Sequence, residues 1–433
     1  MEKVKVAIVG MGTVGCGVAR LLLDHGDRVI RHAGKVLWLE EVVVRDLNKP
    51  RDVELPQGLV PTTDLTRVYK NKDIKVVAHL VGGLEPARTI MIELLKSGKD
   101  VVTANKALLA EHGPELFDLA RELGRSIAFE ASVAGGVPII ANISQCLSAN
   151  QITALRGILN GTSNFIVSQM DQGDDYAVAL KEAQRLGYAE ADPTLDVDGS
   201  DAAQKLAILA HLAFGARVHW RDIPREGIDK LDTADLRYAK ELGYRIKLLA
   251  TAQLADGGLE IHVAPTLVKI GQPLAEVQEA YNAISVQGDA VGHLFFHGRG
   301  AGQMPTASAV VADMIDTAVG RTAITFRTLN LWSQQAARVH MNDPKQLKGR
   351  YYLRFTVEDH PGVLAAITGA LGRHNISIAS VIQHEPSQDA SGQVVPLVIM
   401  THNVEQGAVT AAVAEIDRLL CTRPGSVRLR VLK

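Results

Sequence analysis

The sequence predicts an α/β protein in three parts: an N-terminal doubly wound parallel sheet, a central α+β region and a C-terminal ferredoxin-like module. Three observations carry this. Short apolar runs alternate with amphipathic helical stretches from residue 1 to about 135, the alternation breaks down between about 136 and 340, and a βαββαβ order occupies 351–433. At roughly 150 residues per domain, a chain of 433 residues is expected to hold two to four.

In the first part the apolar runs are 4–9, 41–44, 76–81, 101–102 and 126–129. Strands that are apolar on both faces and separated by helices belong in a buried parallel sheet. The second part mixes helical stretches at 175–186 and 202–212 with strands at 248–254 and 259–265. The polar stretch 339–350 reads as a linker. Beyond it, strands at 351–357, 376–383, 394–401 and 427–431 enclose helices at 362–374 and 405–419, the split-βαβ order of a separate small domain.

Composition narrows the function. Hydrophobic residues make up 47% and charged residues 22%, which excludes disorder of the whole chain. Lys and Arg number 46 against 48 Asp and Glu, a net charge of −2, so no basic surplus points to nucleic acid or an anionic membrane. Nowhere do about 18 apolar residues run together, so no membrane span is expected. The three cysteines, Cys16, Cys146 and Cys421, are too few and too dispersed for a disulfide framework or a Cys-rich zinc site. The N-terminus lacks the charged, apolar, small-residue order of a signal peptide, so a cytoplasmic protein is expected.

The sharpest local motif is Gly10-Met-Gly12-Thr-Val-Gly15, which follows the first apolar run and opens an apolar-periodic helix. Gly10 permits a tight turn, Gly12 lets the backbone approach a pyrophosphate, and Gly15 lets helix and strand pack closely; free N–H groups at the helix start hold the phosphates. In this strand–turn–helix context the motif predicts a Rossmann dinucleotide site. The plain alternative is a tight turn that binds nothing. The second strand ends in Arg45-Asp46, where an NAD site places an acid. A guanidinium there suits a 2′-phosphate, which favours NADP over NAD. Alternatively, Arg45 is a solvated cation and Asp46 takes the ribose. The strand end Val101-Val-Thr103-Ala-Asn105-Lys106 delivers polar residues to the crevice where a nicotinamide would lie.

One acidic run stands apart. Glu190, Asp192, Asp196, Asp198 and Asp201 precede Lys205, and Asp201 and Lys205 at i and i+4 share a helix face. A calcium loop counted from Thr194 would need Glu at its twelfth position and finds Lys205. The bland reading is a solvated acidic loop before a helix. Yet a substrate bearing an ammonium needs carboxylates, and hydride transfer to a carbonyl needs a proton donor.

With these motifs stand Thr103-Ala-Asn-Lys106, Glu130-Ala-Ser-Val-Ala-Gly-Gly-Val-Pro138, Gly157-Ile-Leu-Asn-Gly-Thr-Ser-Asn164, the run Gly187 to Lys205, and Gly298-Arg-Gly-Ala-Gly302-Gln-Met-Pro-Thr306. Together they make residues 1 to about 340 resemble homoserine dehydrogenase. Residues 351–433, with Val357-Glu-Asp359-His-Pro361-Gly362-Val-Leu364, resemble an ACT domain. The resemblance implies a Rossmann domain at 1–135, a substrate-binding and dimerisation domain at 136–340 with part of 303–335 packed back on the first, and a regulatory ACT domain at 351–433. It implies reversible NAD(P)-dependent interconversion of L-homoserine and L-aspartate 4-semialdehyde, a step toward threonine, methionine and isoleucine. With the glycine motif at residue 10, the monofunctional type is expected.

The resemblance also implies residue roles. Lys205 is the proton donor and acceptor at the carbonyl oxygen, with Lys106 a second catalytic lysine. Glu190, Asp201, Asp196, Thr162 and Tyr188 bind substrate. Gly10, Gly12, Thr13, Val14, Gly15, Thr103, Lys106, Gly187 and Gly302 surround the cofactor, together with Arg45 as read above. A monovalent cation, Na+ or K+, sits at Glu130, Val133, Gly135 and Val137, largely on backbone carbonyls; the residues alone read as a Gly-rich turn. Asp359, Gly362 and Asn375 are the implied effector residues, with threonine the expected ligand, and the alternative there is an ordinary turn with a dimerisation surface. A homo-oligomer, dimer or tetramer, is expected.

Three rival readings are weighed against this one. A semialdehyde dehydrogenase needs a nucleophilic Cys, and Cys146, in a helix-like apolar segment without a nearby His, reads instead as a small core residue. A non-catalytic amino-acid sensor on a dead nucleotide fold would have no reason to keep Lys205, Glu190 and Asp201. A 2-hydroxy-acid dehydrogenase wants a His paired with a carboxylate, and neither His211 nor His219 stands in such a constellation.

Overall fold

Five short apolar strands at the N-terminus associate side by side, because each is apolar on both faces and needs cover on both. The computed structural model describes residues 2–255, 257–329, 339–384 and 394–432. β1 (Lys3–Val9), β2 (Val36–Val43), β3 (Ile74–His79), β4 (Asp100–Thr103) and β5 (Ile127–Ala128) form a parallel sheet in the order β2-β1-β3-β4-β5. On one face Val6, Ile8, Val76, Ala78 and Val102 pack with Val18 and Leu22 of the helix Thr13–Asp24 and with Ala307, Val310 and Met314 of the helix Gln303–Ala318. The alternate residues Ala7, Val77 and Val101 are fully buried on the other face. Each buried Val or Ile contributes about 1.5–3 kcal/mol. The second strand begins five residues before its expected start. Its charged Glu41 is tolerated inside because Arg67 pairs with it at 2.8 Å.

The chain divides into two units. The first comprises Met1–Gly161, Asp201–Ile223 and Ala280–His340; the second comprises Thr162–Ser200, Pro224–Glu279 and Met341–Lys433. Besides the parallel sheet, the first unit holds the antiparallel strands Ile152–Ile158, Tyr281–Gly288 and Gly292–Arg299, and the helix from Ser200 to Phe214, whose Leu206, Ile208 and Leu209 are fully buried. Of the stretch 303–335 expected against the first domain, residues 330–335 lie outside the described residues.

The second unit is built on the antiparallel pair Tyr244–Ala255 and Gly258–Lys269. The C-terminal module has the expected order: strands Lys348–Glu358, Ile378–Gln383, Val394–Thr401 and Thr422–Val431, with helices Val363–Arg373 and Gln406–Ile416. Its helices cover Leu353, Phe355, Leu397 and Ile399. It is not a free-standing bead, however. Its last strand pairs in parallel with Gly258–Lys269 at Arg430↔Thr266 and Val431↔Leu267. From Met341 on, the expected linker at 339–350 is likewise tied down within this unit: Asn342 N donates to Leu259 O at 2.9 Å, its Nδ2 donates to Ala255 O at 2.6 Å, and the strand has begun by Lys348. A strand edge with open carbonyls satisfies the polar side chains that a sequence reading assigns to solvent. Cys146 is also corrected, since it is exposed rather than a core residue. Among the described residues no helix is long and apolar enough to cross a membrane.

Tyr352 and Arg354 alternate with the core residues of their strand and so face away from the module's own helices. There they meet Asp235, on the helix Thr233–Glu241, which is fully buried. Its carboxylate accepts from Tyr352 Oη at 2.8 Å, Arg354 Nε at 2.6 Å and Arg354 Nη2 at 2.9 Å. The Asp235 hydrogen bonds hold the Arg354 guanidinium above its ordinary value against burial, and burial followed by the Asp235 charge raises the Tyr352 phenol. Removing one partner of such a pair strands the other charge in a low dielectric. Asp235→Ala should therefore destabilise the protein by about 3–5 kcal/mol, read as a lower urea midpoint; an unchanged midpoint would show that the pair adds nothing.

Candidate active site

The glycine turn sits where the strand order reverses, between the C-terminal ends of β1 and β3. Gly10 has φ +99°, and a Cβ there would lie 2.8 Å from the Leu80 carbonyl. At Gly15 a Cβ would lie 2.3 Å from Gly10 O, whereas nothing stands within 4 Å of a Cβ at Gly12. Gly12 caps the helix Thr13–Asp24 without a side-chain hydrogen bond, leaving N–H groups aimed at open space. Thr13 is exposed and Val14 half-buried at that helix start. This cradle fits a pyrophosphate. Arg45 is exposed just beyond β2, at the same sheet edge.

The ends of β3 and β4 are joined by Asn105. Its Oδ1 accepts from Leu108 N and so caps the helix Lys106–Glu122, while its Nδ2 donates to Val81 O at 2.9 Å and Gly83 O at 2.7 Å. Thr103 is fully buried and its hydroxyl accepts from Asn105 N. Lys106 is thereby fixed as the first residue of its helix. Its Nζ lies 2.8 Å from Asp201 Oδ1.

Asp201 is shared. Its Oδ2 accepts from Lys205 Nζ at 2.7 Å, one helical turn along, and from Asn160 Nδ2 at 2.8 Å. Lys205 Nζ also donates to Leu159 O at 2.6 Å. Both side chains are buried, 6% exposed for Asp201 and 11% for Lys205. Burial pushes the Asp201 carboxyl up, but the charges of Lys205 and Lys106 and their hydrogen bonds outweigh it, so the carboxyl stays ionised well below the usual carboxylate range. A permanent anion flanked by two ammonium groups at the C-terminal edge of a dinucleotide sheet can orient proton donors toward a bound carbonyl.

The remaining implied substrate residues belong to the second unit. Buried Thr162 donates through Oγ1 to Tyr188 O at 2.6 Å, and Phe165 packs on the Tyr188 ring at 5.1 Å. Glu190 is exposed, with its backbone oxygen held by Gln184 Nε2 at 3.2 Å. Asp196 is half-buried in the short helix Thr194–Val197. Gly187, with φ +75°, follows the helix Tyr176–Arg185. In the first unit, Gly302 is the N-cap of Gln303–Ala318.

Residues 130–138 form a tight buried loop. The Glu130 carboxylate is engaged by Ile140 N at 2.9 Å and Ala141 N at 2.7 Å, and its own N–H donates to Asp313 Oδ2 at 2.8 Å. Ala134 and Gly135 both have positive φ, which turns the chain sharply. Among the described residues, the backbone hydrogen bonds of turns and loops leave the carbonyl oxygens of Val133, Gly135 and Val137 unused. Backbone oxygens without donors suit a hard monovalent cation, whereas the Glu130 side chain is already occupied.

The implied effector residues do not gather. Gly362 (φ +96°) and Asn375 (φ +55°) lie at opposite ends of the helix Val363–Arg373, whose 11 residues span about 16 Å. Asp359 is near the first end, accepting from Gln383 Nε2 at 3.2 Å. Within one module they do not form one pocket. Asn160 and Asn282 of the site escaped the sequence reading. Asn160 at least lies inside the Gly157–Asn164 motif; Asn282, on a strand, carries no local signal.

Comparison with known proteins agrees with this geometry. Residues 10–130 match the family described as "Homoserine dehydrogenase, NAD binding domain", 138–315 "Homoserine dehydrogenase", and 351–421 "ACT domain". The chain is 42% identical over 436 residues to the homoserine dehydrogenase of Pseudomonas aeruginosa, covering 100% of this chain and 99% of that one. It superposes with a TM-score of 0.93 on the crystal structure of a homoserine dehydrogenase from Thiobacillus denitrificans, at 42% identity over 100% of this chain and 99% of that one. A hyperthermophilic archaeal homoserine dehydrogenase mutant in complex with NADPH aligns at 26% identity and a TM-score of 0.61, covering 73% of this chain and 97% of that one. The chain belongs to the homoserine dehydrogenase family.

Proposed function

We propose that this chain interconverts L-aspartate 4-semialdehyde and L-homoserine with NADP as the preferred nicotinamide, on the route to threonine, methionine and isoleucine. The observation that carries the reading is the buried Asp201–Lys205 pair, joined by the half-exposed Lys106, at the edge of the nucleotide sheet. When bound, the nicotinamide supplies hydride to the aldehyde carbon or takes it from the alcohol. The Lys205 ammonium stabilises the negative charge that develops on the carbonyl oxygen and donates its proton there. Positioned general acids of this kind contribute about 10²–10⁴-fold. In the oxidative direction Lys205 must first lose its proton, so oxidation favours alkaline pH. Asp201 holds Lys106 and Lys205 in register, and Lys106 supplies a second positive charge to the same site. Glu190, Asp196, Thr162 and Tyr188 recognise the amino-acid end of the substrate, Glu190 through attraction to its ammonium.

Gly10, Gly12, Thr13, Val14 and Gly15 hold the pyrophosphate, with Thr103, Lys106, Gly187 and Gly302 around the rest of the cofactor. Arg45 pairs with a 2′-phosphate, a reading supported by its exposure beyond β2 and by the NADPH complex of the archaeal relative. The carbonyls of Glu130, Val133, Gly135 and Val137 hold Na+ or K+ and stiffen the loop. The division of labour is 1–135 for the nucleotide, 136–340 for substrate and oligomer contacts, and 351–433 for regulation by an amino acid, threonine, near Asp359 and Gly362. Because Asn375 stands at the far end of the helix, any role for it in that site needs a second module.

Initial rates of NADPH and NADH oxidation with L-aspartate 4-semialdehyde, with and without threonine, test this directly. The expected outcome is turnover with preference for NADPH and inhibition by threonine; absence of turnover with either cofactor would refute the activity. Lys205→Ala should cut kcat by about 10²-fold or more while leaving cofactor affinity nearly unchanged. Near-normal turnover in that variant would remove Lys205 as the proton donor.

A further inference from the structure

Asn282 lies on the strand Tyr281–Gly288 and is 2% exposed. Its Nδ2 donates to Leu159 O at 3.0 Å, and that same oxygen accepts from Lys205 Nζ at 2.6 Å. One carbonyl therefore carries both donors, one on each lone pair. Gly300 packs against the same amide. A Cβ at residue 300 would stand 2.1 Å from Asn282 Cγ and 2.2 Å from its Nδ2 and Oδ1. The φ of Gly300 lies outside the left-handed region, so conformation does not demand glycine there. Space does. Gly300 also belongs to the turn that ends in Gly302, the N-cap of the helix Gln303–Ala318. A single planar amide thus touches the carbonyl that seats the lysine and the turn that leads into this helix.

We propose that Asn282 is a positioning residue for Lys205: it fixes the Leu159 carbonyl and ties it to the turn at Gly300. The inference rests on the reading of Lys205 as the proton donor. The side chain must be a donor, because an acceptor would face the carbonyl oxygen, and it must be neutral, because an anion so near the ammonium would favour its charged form. It must also be flat, because Gly300 lies directly on it. An anion at this place would act on the lysine through its charge, whereas loss of positioning lowers kcat without moving the limb, so the pH profile reads the two effects apart.

The test combines a pH profile with a double-mutant cycle, using homoserine oxidation by the full chain and thermal melts of every variant. Asn282→Asp should lower kcat by about tenfold or more with little change in KM for the nicotinamide cofactor, and should move the rising alkaline limb to higher pH. Asn282→Ala should lower kcat without that displacement. Gly300→Ala should lower kcat because its methyl group must displace the amide. The double variant Asn282→Ala with Gly300→Ala should be no worse than the weaker single variant, since the first change vacates the space needed by the second. A wild-type limb in Asn282→Asp, or losses that simply multiply in the double variant, would overturn the proposal while Lys205→Ala remained inactive. Near-normal turnover in Lys205→Ala would overturn the reading beneath it, which keeps the two failures apart.

Discussion

A single buried carboxylate organises the site. Asp201 accepts from Lys205 on its own helix, from Asn160, and from Lys106 at the end of β4. In water each ion pair would be worth little; out of water, losing the anion would leave two ammonium groups facing each other. The arrangement therefore holds together only as a set. It also links two parts of the chain about a hundred residues apart, so the position of Lys205 depends on the parallel sheet being formed and on Asn105 capping the helix Lys106–Glu122.

The sheet supplies the second constraint. Parallel strands direct their C-terminal ends, and the helix N-termini that follow them, to one edge. Gly10, Gly12, Asn105 and Lys106 all stand on that edge because the chain must turn there from strand to helix. The turn at β1 leaves N–H groups open toward a phosphate, while the turn at β4 spends its cap on Asn105 and leaves Lys106 to reach Asp201. The second unit shows the same electrostatic device in a structural role. Asp235, fully buried between Tyr352 and Arg354, joins the ACT module to the helix Thr233–Glu241. A module fastened by a buried charge and by strand pairing with Gly258–Lys269 is mechanically continuous with the rest of its unit.

Much of this was legible in the chain. The glycine turn, the alternation of apolar strands with helices, the βαββαβ order and the i, i+4 spacing of Asp201 and Lys205 are local signals with local causes. What stayed hidden depends on partners distant in sequence. The early start of β2 rests on its pairing with β1 from Lys3↔Val36 onward, where Lys5 meets Glu40 at 2.9 Å. The polar stretch at 339–350 reads as a linker until Ala255 and Leu259 offer carbonyls to Asn342. Cys146, in an apolar segment, is exposed, since periodicity does not say which side of a segment is covered. The Lys106–Asp201 pair and the amide of Asn282 become visible only when the elements are packed.

The central claim, that the Asp201 anion governs the ionisation of the lysines beside it, is tested most directly by the pH profile of homoserine oxidation in Asp201→Asn. An adjacent anion favours a protonated lysine, and its loss also leaves Lys106 and Lys205 repelling each other. The rising limb should therefore move to lower pH in the variant even as kcat falls. A limb that stays at its wild-type pH would contradict the account.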